Sequence, residues 1–209
     1  DKASSFVDLG CNIGYFSCLY GTLNRGGHIL ALDANQIVLE RCKRNLEINS
    51  INADIVNIAV GDKKRKVSFN IPKNRHSLAS LGDIESRRND VETIDIEMDT
   101  LEAILDANNF EQVDFMKIDI EGYEAKVFQS ISPKVAKRIK SFVFEYSPDN
   151  LEQCGSSKED LDCIEWLNLF ELFQLDEQSG KIQPLDSIES FPFREGTVFG
   201  QQKGLSIIP

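Results

Sequence analysis

Residues 6–17 read FVDLGCNIGYFS, and this stretch decides the fold. Phe6-Val7-Asp8-Leu9 is a short apolar run suited to a buried strand, Gly10 and Gly14 punctuate a turn, and a helix follows from about Tyr15. The two glycines permit a tight turn and let a ligand approach the backbone closely. The first turn of the helix would present free N–H groups to whatever sits in the turn. Asp8 falls at the carboxyl end of the strand, where open α/β sheets bind ligands. A carboxylate there repels phosphate and suits a ligand with a cationic amine.

Working outward, strand and helix patterns alternate, which predicts a doubly wound, Rossmann-like α/β fold with helices on both faces of a mostly parallel sheet. The second strand runs from His28 to Leu32 and ends in Asp33; the second helix spans about Gln36 to Asn49, with Ile37, Val38, Cys42, Leu46 and Ile48 on one broad face. A third strand covers Ile55 to Val60. Gly61-Asp62 and the basic run Lys63-Lys64-Arg65-Lys66 then form a solvated turn into an added strand, Val67 to Ile71. Lys73 to Asp90 is a long irregular stretch suited to a lid or binding loop. Thr93 to Met98 alternates again, and a helix follows over Thr100 to Ala107. The fourth core strand is Val113 to Asp119, with helices over Tyr123–Ile131 and Pro133–Ile139; the fifth strand is Ser141 to Tyr146. A helix over Lys158–Leu169, a strand at Leu172–Leu175 and a last strand at Leu205–Ile208 complete the pattern.

The length of 209 residues fits one domain, residues 1–209. With 23 Lys and Arg against 34 Asp and Glu the chain is acidic, which disfavours nucleic acid or an anionic membrane as a partner. The five cysteines form no CxxC pair and indicate neither a zinc site nor a disulfide framework, so a reducing cytoplasmic setting fits best. No apolar run approaches the ~18 residues that span a bilayer. The chain opens with charge, has no signal peptide and lacks a starting Met, so an N-terminal helix or lid is expected to be missing.

A second acid supports the first. Asp33 lies twenty-five positions after Asp8, where a carboxylate can accept hydrogen bonds from both hydroxyls of a ribose. Gly10-Cys11-Asn12-Ile13-Gly14 departs from the G-x-G-x-x-G of dinucleotide sites, and Asp8 would sit near a pyrophosphate. S-adenosylmethionine, with ribose and adenine but no phosphate, fits better than NAD.

FVDLGCNIGYFS, LDAN at Leu32–Asn35, NIAVGD at Asn57–Asp62 and MKIDIEGYEAKVFQS at Met116–Ser130 together resemble the FkbM family of S-adenosylmethionine-dependent methyltransferases. KIDIEGYE is the most specific block, because ordinary class I methyltransferases share the first two but not this one. The resemblance implies a seven-stranded Rossmann-like sheet with an antiparallel last strand. It also implies O-methylation of a hydroxyl on a sugar, glycan or other secondary metabolite. By position it assigns Asp8, Gly10, Asn12, Ile13 and Gly14 to the cofactor's amino-acid end, Asp33, Ala34 and Asn35 to the adenosine, and Ala59 to Asp62 to the border of the adenine.

Methyl transfer to a hydroxyl needs donor and acceptor held in line, water excluded, and a group to take the acceptor's proton. Lys117, Asp119, Glu121 and Glu124 cluster after the fourth strand. Asp119, at the strand tip, is expected to touch the cofactor and to orient the acceptor or act as base. Gly122 permits the turn that brings Glu121 inward, and Glu124 reads as a helix N-terminal acid. Glu145, charged in an apolar strand, either reaches the pocket or is paired structurally. His76, in the long loop, is a further candidate base, whereas His28 begins a strand and reads as structural. Tyr15 could wall the methyl site. A magnesium-assisted variant would draw on Asp119, Glu145 and the Asp149-Asn150 pair. The competing readings are a methyltransferase fold kept only for binding and an NAD-dependent oxidoreductase.

Overall fold

The computed structural model describes residues 4–72, 81, 91–176, 179–192 and 195–205. The first half runs β1 (Ser5–Leu9), α1 (Tyr15–Leu23), β2 (His28–Asp33), α2 (Gln36–Ile48) and β3 (Asp54–Asn57). It continues through three strands of a second sheet, β4 (Ala59–Gly61), β5 (Arg65–Pro72) and β6 (Val91–Thr100), into α3 (Leu101–Ala107). The second half holds β7 (Phe115–Ile118), α4 (Glu124–Ser130), α5 (Pro133–Ala136), β8 (Ser141–Tyr146), α6 (Pro148–Gln153) and α7 (Lys158–Asp162). A 3₁₀ turn at Glu165–Leu169 leads to β9 (Phe170–Asp176), β10 (Lys181–Leu185) and β11 (Gly196–Gln202).

The main sheet has eight strands in the order β10-β9-β11-β8-β7-β1-β2-β3. Pairs β1–β2, β1–β7, β2–β3 and β7–β8 are parallel, and β11 inserts antiparallel between β8 and β9. The fold is therefore the expected Rossmann-like one, with β10 as an added edge strand. The winding reverses between β1 and β7, the place where doubly wound sheets open a ligand crevice. The central strands are buried on both faces. Val7, Leu9, Leu30, Leu32, Met116, Ile118, Phe142 and Phe144 are all at most 1% exposed, as strands covered by helices on two sides require.

Several boundaries differ from the sequence reading. The expected third strand, Ile55–Val60, divides between two sheets. Asn57 Nδ2 donates to the carbonyls of Asp33 and Ala34 at 3.0 Å each, and Ile58 N–H donates to Asp33 C=O at 3.1 Å. These bonds pin the end of β3 to the end of β2, and the chain then leaves the main sheet to pair β4 with β6. On α2, Val38, Leu39, Cys42 and Leu46 are buried, whereas Ile37 and Ile48 face solvent. The expected helix over Lys158–Leu169 breaks at Cys163-Ile164, because Trp166 turns inward and donates its indole N–H to Phe128 C=O at 2.8 Å. Pro148 opens helix α6 at its first turn, where a missing N–H costs nothing. The final described strand is Gly196–Gln202, upstream of the expected Leu205–Ile208. Its Gly200 makes room for a ring: a Cβ there would meet Phe142 Cζ at 2.3 Å. Ser206, Ile207 and Ile208 lie outside the described residues, as does the Lys73–Asp90 loop except Leu81. Among the described residues no helix is long and apolar enough to cross a membrane.

Candidate active site

The loop from β1 to α1 turns through three left-handed residues, Gly10 (φ 72°), Asn12 (φ 51°) and Gly14 (φ 79°). Gly10 N–H and Cys11 N–H both donate to Leu32 C=O at 2.9 Å, so the loop hangs from the end of β2. The space that the two glycines leave is taken by the protein itself. A Cβ on Gly10 would sit 1.8 Å from Asp119 C=O, and one on Gly14 would sit 2.5 Å from Cys42 Sγ. These glycines bring β1, β7 and α2 into contact.

A pocket opens at the switch point, enclosing about 630 Å³ of empty space including its mouth. Gly10, Asn12, Asp33 and Ala34 line one side, and Asp119, Ile120, Glu121 and Tyr123 line the other. Ile58, Ala59, Val60 and Phe69 close its far end with Val38 and Leu81. Asp33 Oδ2 accepts from Asn12 N–H at 2.9 Å and Oδ1 from Asn35 N–H at 2.8 Å. Each oxygen keeps a second lone pair, so a carboxylate fixed by its own backbone still offers acceptors to a pair of ligand hydroxyls.

Across the pocket, the strand tip of β7 continues into Ile120-Glu121-Gly122, with Glu121 at φ 54° and Gly122 at φ 100°. Two left-handed residues in succession reverse the chain and set the Glu121 side chain into the pocket lining. A Cβ on Gly122 would meet Asn150 C=O at 2.1 Å, so α6 packs directly on this turn. Asn150 Nδ2 donates to Glu121 Oε2 at 3.1 Å. Burial, then repulsion from Asp119, Glu145 and Glu124, pushes the Glu121 carboxyl up to about 8. Glu124 is buried at the start of α4, where its Oε1 accepts from Ile120 N–H at 2.9 Å. It is a local clamp on the turn, as its helix-start position suggested.

The remaining expected residues separate into two groups. Asp119 and Ala59 line the pocket, with Gly10, Asn12, Asp33, Ala34 and Glu121. Asp8, Ile13, Gly14, Asn35 and Asp62 do not. Asp8 is 0% exposed; Ser17 Oγ donates to its Oδ2 at 2.7 Å, and its cationic neighbour is Lys117 at 3.7 Å rather than a ligand amine. Asn35 caps α2 by accepting from Ile37 N–H at 3.0 Å and is 1% exposed, so the expected adenosine contact gives way to a helix cap. Asp62 pairs with Arg65 at 3.1 Å in the hairpin turn. Ile13 is an exposed loop residue. Glu145 is exposed on β8 opposite Thr197, so it acts on the site through its charge and does not line the pocket. His76 lies outside the described residues. Among the described residues no group of three or more His, Cys, Asp or Glu is placed to hold a metal ion.

Lys117, placed by the sequence in the cluster after the fourth strand, was given no role there, although it stands inside the most specific sequence block. Phe69 and Tyr123 were missed as well. The alternation of Val67-Ser68-Phe69-Asn70-Ile71 already set Phe69 and Ile71 on alternate positions, and both are buried.

The site is a concentration of buried acids. Desolvation raises Asp8 and Asp33 above the usual carboxylate range and pushes Glu124 up to about 7. A carboxyl with a folded value above its ordinary one binds a proton that the unfolded chain has already released. Stability is then greatest below the ordinary carboxylate range and declines as pH rises through the folded value. Urea titrations of the unliganded protein should therefore show stability falling from about pH 5 to pH 8. Glu124→Gln, which keeps the bond to Ile120 N–H, should flatten the lower part of that fall; an equally steep fall in the variant would contradict the assignment.

A family model described as Methyltransferase FkbM domain matches residues 8–175. No curated protein sequence matches the chain. Among solved structures, the METTL16 MTase domain superposes with a TM-score of 0.52 at 14% identity, covering 96% of this chain and 60% of that one. A precorrin-6y C5,15-methyltransferase from Geobacter metallireducens GS-15 gives 0.48 at 13% identity, covering 95% and 80%. M. capricolum TrmK in complex with S-adenosyl-homocysteine gives 0.46 at 10% identity, covering 97% and 64%.

Proposed function

Because the chain belongs to the FkbM methyltransferase domain family and, as a methyltransferase, takes S-adenosylmethionine as its cofactor, we propose that the switch-point pocket holds that cofactor. We further propose that the enzyme methylates a hydroxyl on a sugar, glycan or other secondary metabolite. The donor set fits the group. Asp33 is built to accept two ribose hydroxyls, Ile58, Phe69 and Leu81 offer an apolar slot for a flat base, and the acidic lining suits a cation better than a pyrophosphate. The bound cofactor supplies an electrophilic methyl group on a sulfonium.

The observation that carries the reading is Glu121. Its carboxyl lines the same pocket as Asp33, is held by Asn150, and is pushed up to about 8 by burial and neighbouring acids. A carboxyl of that basicity could take the proton of an acceptor hydroxyl while the oxygen gains the methyl group and the methyl–sulfur bond breaks, near neutral pH. Asp119, beside it at the strand tip, orients the acceptor. The acidic character of chain and pocket accords with a neutral small-molecule or glycan acceptor and not with nucleic acid.

Calorimetric titration with S-adenosylhomocysteine, with NAD as the parallel ligand, tests the cofactor assignment. Binding of the former alone is expected. Asp33→Ala should weaken that binding by about 1–3 kcal/mol through the lost hydroxyl partners. Unchanged affinity in the variant would place the adenosine elsewhere. Screening hydroxyl acceptors for methyl transfer then separates an enzyme from a fold kept for binding.

A further inference from the structure

Lys117 and Asp8 are register partners on neighbouring parallel strands, so their side chains leave the same face of the sheet side by side. Both are buried, at 8% and 0% exposure. The simplest role for the lysine is to neutralise the buried aspartate, and its hydrogen bonds argue against that as the main one. Nζ stands 3.7 Å from Asp8 Oδ1, which has no hydrogen-bond partner among the described residues. Its close contacts go the other way, to Gly10 C=O at 3.2 Å and Asp119 Oδ2 at 3.1 Å. The Phe16 ring covers the ammonium, its centroid 5.3 Å away. Burial works against its charge, yet Asp8 and Asp119 together hold the lysine above its ordinary value, so the ammonium stays protonated.

We propose that Lys117 is a positioning residue. Its ammonium ties the Asp119 carboxylate after β7 to the glycine loop after β1 and so fixes where that carboxylate stands in the wall of the cofactor pocket. Asp119 N–H donates to Leu9 C=O at 3.0 Å, so the two loop backbones already meet beside Gly10, but that bond leaves the Asp119 carboxylate unplaced. Asp119 is partly exposed, and without the tether its carboxylate is free to rotate away. Asp8, held by Ser17, supplies the negative field that keeps the lysine charged at that point. A buried cation with two good hydrogen bonds to loop groups is a preorganising element, since the cofactor then meets a site already in its bound geometry.

This rests on the cofactor reading of the pocket, which the Asp33→Ala titration tests separately. Removing the lysine alone would leave Asp8 buried without its cation, which is costly and obscures the result. The test is the double variant Asp8→Asn with Lys117→Met, which removes both charges at similar volume. Its thermal unfolding should stay close to that of the original protein, and its affinity for S-adenosylhomocysteine should fall at least tenfold. Asp119→Asn, which leaves the Asp8–Lys117 pair in place, should weaken binding as well. In the triple variant the two losses should not add, because both cut the same tether. Unchanged affinity in the double variant, or strictly additive losses, would overturn the proposal and reduce Lys117 to a charge partner. Should the double variant fail to fold, Asp119→Asn decides alone: original affinity there also overturns the tether.

Discussion

Glu121→Gln is expected to slow methyl transfer by about 10²–10⁴-fold, the usual span for loss of a positioned proton acceptor, with little change in cofactor affinity. The amide can still accept from Asn150, so the turn at Glu121-Gly122 should keep its shape. The reason for so large an effect is the environment of the carboxyl. Burial and the charges of Asp119, Glu145 and Glu124 push it up to about 8, against the pull of Lys117. The original protein should then show a rate that rises with pH to a plateau above about 8, and the variant should lack that limb. The rising limb belongs to the acid cluster as a unit, because groups this close titrate together. A second readout needs no acceptor. A cationic sulfonium arriving beside a part-protonated carboxyl favours its ionised form, so binding S-adenosylmethionine near pH 7.5 should release protons. Calorimetry in buffers of different ionisation enthalpy counts them, and Glu121→Gln should release fewer. Equal proton release together with an unaltered pH profile would remove Glu121 from the chemistry.

Gly10→Ala should have the largest effect on the fold, costing about 3–5 kcal/mol or preventing folding, and abolishing binding of S-adenosylhomocysteine. The added Cβ would stand 1.8 Å from Asp119 C=O, and the residue sits at φ 72°. Backbone cannot swing aside as a flexible side chain can, so the loops after β1 and β7 must part, and these loops are the two walls of the pocket. Gly26→Ala separates the two causes. Gly26 has φ 85° but nothing within 4 Å of a Cβ, so it carries the left-handed penalty of about 1–2 kcal/mol without the clash. Urea titration of both variants gives the comparison; similar losses would mean that the close approach of Asp119 is unimportant.

Much of this site was legible in the chain. The strand-turn-helix of FVDLGCNIGYFS, the acid at Asp33 and the inward turn at Gly122 follow from local rules: apolar runs, glycine conformations and strand-end placement. Asp33, Gly10, Asn12, Asp119 and Glu121 accordingly converge on one pocket. What failed was the assignment of partners. Asp8 was read as facing a ligand amine, but its cation is Lys117, supplied by a strand more than a hundred residues away. Asn35 was read as touching adenosine, but a helix begins at the next residue and claims its side chain as a cap. Glu145 carried the right sign in the right strand, yet strand alternation left it exposed.

The sequence by itself determined the alternation of strands and helices as far as β8, the hand of the loop at Gly10 and the acidic character of the pocket. All of these depend on neighbours along the chain or on composition. Tertiary structure alone decided which of the buried acids face the pocket and which are answered from within. It also decided where β3 leaves the main sheet for a second one and that β11 lies between β8 and β9. The physical reason is that a side chain's partner is set by register and packing between distant segments. Gly10 and Lys117 lie 107 positions apart and meet only because β1 and β7 pair in parallel.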